Sequence, residues 1–403
     1  MYTLLSYLPT HLLPEHPPFA RYVKEKILDP LGLTSTTYSP QVAQESGHLA
    51  DPIAREGIDK DKDIFGKGKT RVMRFPGWFL DEGEDGRFIS GAGGVIMSAK
   101  DAATWLQVLL LNGEHPQTHK QVIPSEVLKK VTSGITVQTA EPRYPELSTT
   151  TYGGGQARGS YRGHNYIEHG GTITGYRTQI TRFPDSKFGV AVFSNDDDWG
   201  SSFIEVIKWR IIDEVFGLEP IDWDSRTKKA AIEAHEKRQS KIKPRPENPA
   251  PPPVPFEQLS GVYRNLGYGD VEFCFVGGSN TQTCKDVLED LPTILPGGVQ
   301  KDIPTLIAKW DRFRSTHAKL EHFDGPVFNL TTLESRPTDE PSDPYWTATP
   351  STGDEIHKAE FVLDEGKVVG FGITGEFWGA GSEVKDPVGG SVKEKAEVWF
   401  DKV

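Results

Sequence analysis

Residues Tyr166 to Asn195 read YIEHGGTITGYRTQITRFPDSKFGVAVFSN. Ile167 and His169 alternate with Glu168, so a strand register puts His169 on one face and Glu168 on the other. Gly170 and Gly171 follow directly. Backbone without side chains lets another chain or a carbonyl group come close to a strand edge. Gly175 punctuates the run, and alternating residues then continue to Ser194-Asn195, which reads as strand, turn and strand. The amide of Thr172 can point at an oxygen that gains negative charge. An imidazole just ahead of it titrates near neutrality and can donate a hydrogen bond. The same residues also describe a glycine-rich bend beside a surface histidine.

The chain that carries this stretch has 403 residues, long for one domain and comfortable for two. Hydrophobic residues make up 36% and aromatics 10%, enough to bury a substantial core. A net charge of -12 argues against nucleic acid or an anionic membrane as the main partner. No apolar run approaches the roughly 20 residues that a spanning helix requires. The opening MYTLLSYLPTHLL lacks a basic region and a small-residue cleavage site, and it reads as a helix from inside a domain. Cys274 and Cys284 lie on two strand-like runs. They can either pair across a turn or remain two buried thiols. No histidines flank them at zinc-site spacing.

Punctuation divides the chain. Phe19, Tyr22, Val23, Lys26 and Ile27 have helical spacing after Pro17-Pro18, and that helix stops by Pro30. Ser98 and Asp101 mark a capped helix start before AATWLQVLLLNG, which ends at Gly113. A further helix is expected from about Ser202 to Phe216, ending at Gly217. Residues 221–255 combine a basic, polar run with KIKPRPENPAPPPVP, and read as a semi-rigid linker. Beyond it, runs such as LSGVYRNLGYGDVEFCFVG, AKLEHFDGPVFNLTTL and KAEFVLDEGKVVGFGI alternate between turn residues, as in an antiparallel barrel or sandwich.

Taken together and in this order, FARYVKEKILDPLGLTSTTY, FISGAGGVIMSAKDAATWLQVLL, YGGG and HGGTITGYRTQITRFPDSKFGVAVFSN resemble the serine β-lactamase-related, penicillin-recognising hydrolases. That branch includes class C β-lactamases, D-stereospecific peptidases and esterases. FEQLSGVYRNLGYG is similar to the start of the lipocalin-like barrel that some members append. The resemblance implies an α+β fold: the C-terminal part of a β-lactamase/transpeptidase-like domain at 1–220, with helices on an antiparallel sheet, the linker at 221–255, and an all-β lipocalin-like barrel at 256–403. It implies that His169-Gly170-Gly171 is the motif on the edge strand, with His169, Gly171 and the Thr172 N–H as catalytic elements. Gly170, Tyr176, Arg177 and Trp78 would line the substrate site. For Arg177 a solvated strand-end arginine is the plainer reading, and for Trp78, in Arg74-Phe-Pro-Gly-Trp-Phe79, surface packing serves as well.

The family's other two motifs, a Ser-x-x-Lys on a buried helix and a Tyr-x-Asn on a loop, are expected before PLGL, where about thirty residues stand. The resemblance therefore predicts a fragment without nucleophile and base, inactive alone, with an apolar sheet face and helix sides exposed. Ser225-Arg-Thr-Lys228 has the right spacing, but it sits in a charged run where a hydrated lysine cannot serve as a base. Tyr263-Arg-Asn265 sits in an ordinary strand pattern. No Gly-x-Ser-x-Gly, His-Glu-x-x-His or Walker-type loop is present. The expected substrate is a small ester, amide or peptide, with no metal or organic cofactor. The alternative is a non-catalytic binding or scaffold protein using the cleft or the barrel. Asn329-Leu-Thr331 is a glycosylation sequon that matters only if the chain is exported.

Overall fold

The histidine stretch lies in a six-stranded antiparallel sheet built as a meander. Its strands are β1 (Thr136–Thr139), β2 (Thr150–Tyr152), β3 (Ala157–Tyr161), β4 (His164–Ile173), β5 (Tyr176–Phe183) and β6 (Phe188–Ser194). Neighbours in sequence are neighbours in space: short links join β2 to β6 in turn, and a longer one, residues 140–149, joins β1 to β2. Arg162 and Gly163, with φ of 49° and 87°, form the two-residue link from β3 to β4. Thr174-Gly175 links β4 to β5, with Gly175 at φ 80°. The computed structural model describes residues 1–75, 85, 88–278, 281–294, 298–312, 315–349, 357–375, 377 and 387–403. It divides into two units, Met1–Lys228 and Lys229–Val403.

Three helices of the first unit position the sheet: α1 (Tyr2–Leu5), α2 (Ala99–Leu110) and α3 (Gly200–Phe216). The start of α2 is fixed locally. The Ser98 hydroxyl accepts the Asp101 N–H at 3.2 Å. The buried Asp101 carboxylate accepts the Ser35 N–H and the Thr36 hydroxyl, both at 2.8 Å. α3 ends where Gly217 turns left-handed at φ 62°. It buries Ile204, Lys208, Trp209 and Ile212. Its Trp209 and Ile212 share one cluster with Tyr161, Tyr166, Phe183 and Val190 of the sheet. α2 packs on the opposite face, where Leu106 fills the space a side chain at Gly189 would need. Each such buried side chain contributes about 2 kcal/mol by leaving water. The helix that begins at Phe19 continues beyond Val23 as a π-helical turn, Lys24–Leu28.

Much apolar surface in this unit stays in solvent. Leu4, Leu12, Ile135 and Val137 are 60% exposed or more, and along α3 Phe203, Ile207, Ile211 and Val215 are exposed.

Within 221–255, expected as a linker, Trp223–Lys241 forms a helix, α4. The second unit is a closed antiparallel barrel. Its strands are β7 (Gly261–Asn265), β8 (Gly269–Phe275), β9 (Thr305–Arg312), β10 (Ser315–Asp324), β11 (Val327–Arg336), β12 (Tyr345–Thr349), β13 (Lys358–Asp364), β14 (Lys367–Thr374) and β15 (Val398–Lys402). Eight of them close the ring in the order β7-β8-β9-β10-β11-β13-β14-β15, and β15 pairs back to β7. β12 extends the far half of β11. Tyr263, Phe273, Leu320, Phe328, Phe361, Phe371 and Phe400 are at most 2% exposed and pack into one cluster. Among the described residues these side chains pack together inside the barrel.

The two cysteines are bonded to each other. Cys274 lies on β8, but Cys284 lies on a helix, α5 (Gln282–Glu289), rather than on a strand. The Thr281 hydroxyl caps that helix by accepting the Cys284 N–H, a start signal that outweighs the strand-like reading.

Candidate active site

His169 sits two-thirds of the way along β4. Register decides which way everything around it points. Ile173 pairs with Tyr176 across the two-residue turn, so odd positions of β4 direct their N–H and C=O groups at β5. Even positions direct theirs the other way, toward β3. But β3 begins at Ala157, opposite Glu168. The main-chain groups of Gly170 and Thr172 therefore point past the end of β3, where no strand among the described residues pairs with them. Both residues are exposed, as are His169 and Gly171. Two N–H groups about 7 Å apart, on a bare strand edge, are what a carbonyl oxygen needs to approach one of them.

Side chains follow the same alternation. Glu168 faces α3, where its carboxylate meets Lys208 at 3.3 Å and accepts the Thr181 hydroxyl at 2.7 Å. His169 faces the opposite side. Its Nε2 lies 3.0 Å from the hydroxyl of Tyr152 on β2. Tyr152 pairs with Ala157, the last residue of β3 before the opening, so its ring reaches across the missing strand. Tyr2 of α1 in turn donates to the Tyr152 oxygen at 3.3 Å. Burial pushes the Tyr152 phenol up to about 12, so it keeps its proton at neutral pH. α1 comes this close because Gly91 has no side chain. A Cβ there would lie 2.3 Å from Ser6 Cβ and 2.7 Å from the Tyr2 carbonyl oxygen.

The glycine pair is also required by the neighbouring strand. A Cβ at Gly171 would lie 2.5 Å from the Thr178 hydroxyl, and one at Gly170 would lie 3.1 Å from the Thr178 carbonyl.

The other residues singled out from sequence serve elsewhere. Arg177 donates to the carbonyls of Ile173, Tyr176 and Asp197 and to the Asp197 carboxylate, at 2.6 to 2.9 Å. It is a buckle for the β4–β5 turn, not a guanidinium open to a ligand. Asp197 also accepts the Gly175 N–H at 2.8 Å. The Tyr176 hydroxyl donates to the Ala50 carbonyl at 2.5 Å, its ring packs edge-on against Phe75, and burial raises its phenol well above the usual range. Trp78 lies outside the described residues. Lys228 of the Ser225 lookalike is exposed and paired with Asp224 at 2.6 Å. The Tyr263 hydroxyl is buried in the barrel on the Leu259 carbonyl. Asn329 stands in mid-strand, half-buried, with its side-chain oxygen accepting from Lys358.

Tyr2 and Tyr152 escaped the sequence reading as functional groups. YGGG carried part of the resemblance, but nothing local says that its tyrosine meets the histidine 17 residues on. Among the described residues no serine, threonine or cysteine side chain bonds to His169, no group of His, Cys, Asp and Glu is arranged to hold a metal, and no helix is long and apolar enough to cross a membrane.

A profile of the Beta-lactamase family matches residues 2–210. Unguisins hydrolase ungD of Aspergillus violaceofuscus (strain CBS 115571) is 29% identical over 199 residues, covering 46% of this chain and 35% of that protein. Unguisins hydrolase ungD' of Aspergillus campestris (strain IBT 28561) is 25% identical over 252 residues, covering 61% of this chain and 43% of that one. The chain thus spans less than half the length of these relatives. The octameric penicillin-binding protein homologue from Pyrococcus abyssi is 16% identical with a TM-score of 0.39, covering 95% of this chain and 60% of that one, a likeness too loose to carry an argument.

Proposed function

The chain belongs to the Beta-lactamase family, and from that premise we propose that the opening beside β4 is the oxyanion side of an acyl-transfer site for small esters, amides or peptides. The observation that carries this reading is the pair of outward-pointing amides at Gly170 and Thr172, next to an exposed imidazole. An attacked carbonyl places its growing negative charge within reach of one amide, and His169 supplies a second hydrogen bond or a proton. Family members acylate a serine and then hydrolyse the acyl-enzyme. Among the described residues no serine bonds to His169, and on this reading turnover by this chain alone is nil or residual. Two relatives named as unguisins hydrolases support hydrolysis as the reaction.

The test is direct. Purified chain is titrated with N-acyl-D-amino acids while backbone amide resonances are followed by NMR. A fluorophosphonate probe and p-nitrophenyl esters report on turnover. The expected result is a saturable shift confined to Gly170, Gly171 and Thr172, lost in Thr172→Pro, without probe labelling. If no acyl ligand perturbs those amides, the site reading fails. Labelling at a serine would show that the chain holds its own nucleophile.

A further inference from the structure

We propose that Tyr152 is a positioning residue that fixes the tautomer of His169, and that Tyr2, Tyr152 and His169 form a reversible proton chain ending at the opening beside β4. The delivery of a proton to a leaving group rests on the reading above; the tautomer assignment does not.

A phenol has one proton to give. Tyr2 donates to the Tyr152 oxygen, so the Tyr152 proton is free for His169 Nε2. A neutral imidazole accepting at Nε2 must carry its own hydrogen on Nδ1. Nδ1 has no partner among the described residues, and the side chain is exposed. The exposed nitrogen of the ring is thus an N–H donor, although the isolated ring would be free to choose either tautomer.

The chain also has a second polarity. When Nδ1 gives its proton to a departing alkoxide or amide nitrogen, the Tyr152 proton passes to Nε2 and the Tyr2 proton passes to Tyr152. Tyr2, 39% exposed, then takes its replacement from a buffer acid. Three protons each move one place, the bond to the leaving group has already broken, and no charge is left on the ring. The imidazole ends with Nδ1 bare; when the water that follows gives its proton there, the Nε2 proton returns to Tyr152, the Tyr152 proton to Tyr2, and Tyr2 releases one to a buffer base. One residue can thus act as acid and then as base without an imidazolium stage.

A plain packing contact between two rings, 6.0 Å between centroids, would leave no such mark on the nitrogens. The experiment is long-range 15N–1H NMR of the histidine rings in the full chain, with His169 assigned by loss of its signals in His169→Gln. In the wild type, His169 should show a protonated Nδ1 and an Nε2 shifted as a strong acceptor. Tyr152→Phe should collapse this to a mixed tautomer. Tyr2→Phe should leave the tautomer in place and weaken the Nε2 shift. Because Tyr152→Phe could also loosen β2, 3-fluorotyrosine at position 152 is the second arm: a more acidic phenol in the same fold should strengthen the Nε2 shift. An Nε2–H tautomer in the wild type, or a spectrum indifferent to both changes at Tyr152, would overturn the proposal. Neither outcome touches the acyl-ligand titration, so the two ideas fail separately.

Discussion

Gly175 shows how little slack the site's supporting turn has. Its φ of 80° is left-handed, and a Cβ there would lie 2.1 Å from Pro52 Cβ. Gly163, at the next turn of the meander, has φ 87° but would meet nothing within 4 Å. The pair separates two costs. Gly163→Ala should lose only the left-handed term, about 1 kcal/mol. Gly175→Ala must also displace Pro52, and should lose about 3 kcal/mol. Urea unfolding of both variants checks this; equal losses would mean that the Pro52 contact is slack. At this scale the sequence was legible where the answer is local. Alternation placed His169 opposite Glu168, because a strand allows no other arrangement. It could not reveal Tyr152, since that contact depends on where β3 stops. Nor could it show that Arg177 is consumed by Asp197, whose position depends on the loop leading to α3.

Among the elements, α3 fastens the sheet through Lys208. This side chain is 2% exposed, with Nζ 3.3 Å from Glu168, 2.9 Å from Glu205 and 4.2 Å from the centre of the Trp209 ring. Glu168 is the residue directly before His169, so the strand's inner face is anchored by charge just where its outer face opens. Lys208→Ala leaves the Glu168 carboxylate half-buried without its cation and should cost about 3 kcal/mol. Lys208→Met keeps most of the volume but removes the same cation, so it should cost nearly as much. Thermal unfolding of the two variants distinguishes the loss of charge from the loss of packing; a much smaller loss in Lys208→Met than in Lys208→Ala would remove the charge argument. α3 itself was readable from its apolar spacing and its terminal glycine. The helix carrying Cys284 was not, because its only strong local signal is a single threonine cap. The ion pair under β4 was not either, because nothing marks a lysine in an amphipathic helix as the one that faces inward.

For the molecule as a whole, acid should act first on the barrel unit. His322 on β10 is 3% exposed; it accepts from Arg245 at Nδ1, 3.0 Å away, and donates to the Gly325 carbonyl from Nε2. Burial holds it below its ordinary value of 6.5, and neighbouring Arg245 adds to that, while Gly325 and Asp324 oppose it. His317, buried beside Asp290, is lowered by burial as well. Both are neutral when folded and take up protons more readily when unfolded, so the stability of this unit should fall as pH drops through 6.5. Denaturant midpoints of the barrel between pH 8 and pH 5 check this, and a shallower profile in His322→Phe would assign that residue's share. The barrel's existence was legible in its alternating runs, but its closure by β15 on β7 and its packed lumen were not, because both depend on pairings far apart in sequence. The ring stack beneath the sheet has an optical consequence. Tyr161 lies over Trp209 at 4.2 Å, and Trp209 lies 5.7 Å from Trp223 at an interplanar angle of 28°. Two indoles this near should couple their transitions and give a split circular dichroism band. The seating of α3 can therefore be followed by light alone, with Trp209→Phe as the blank.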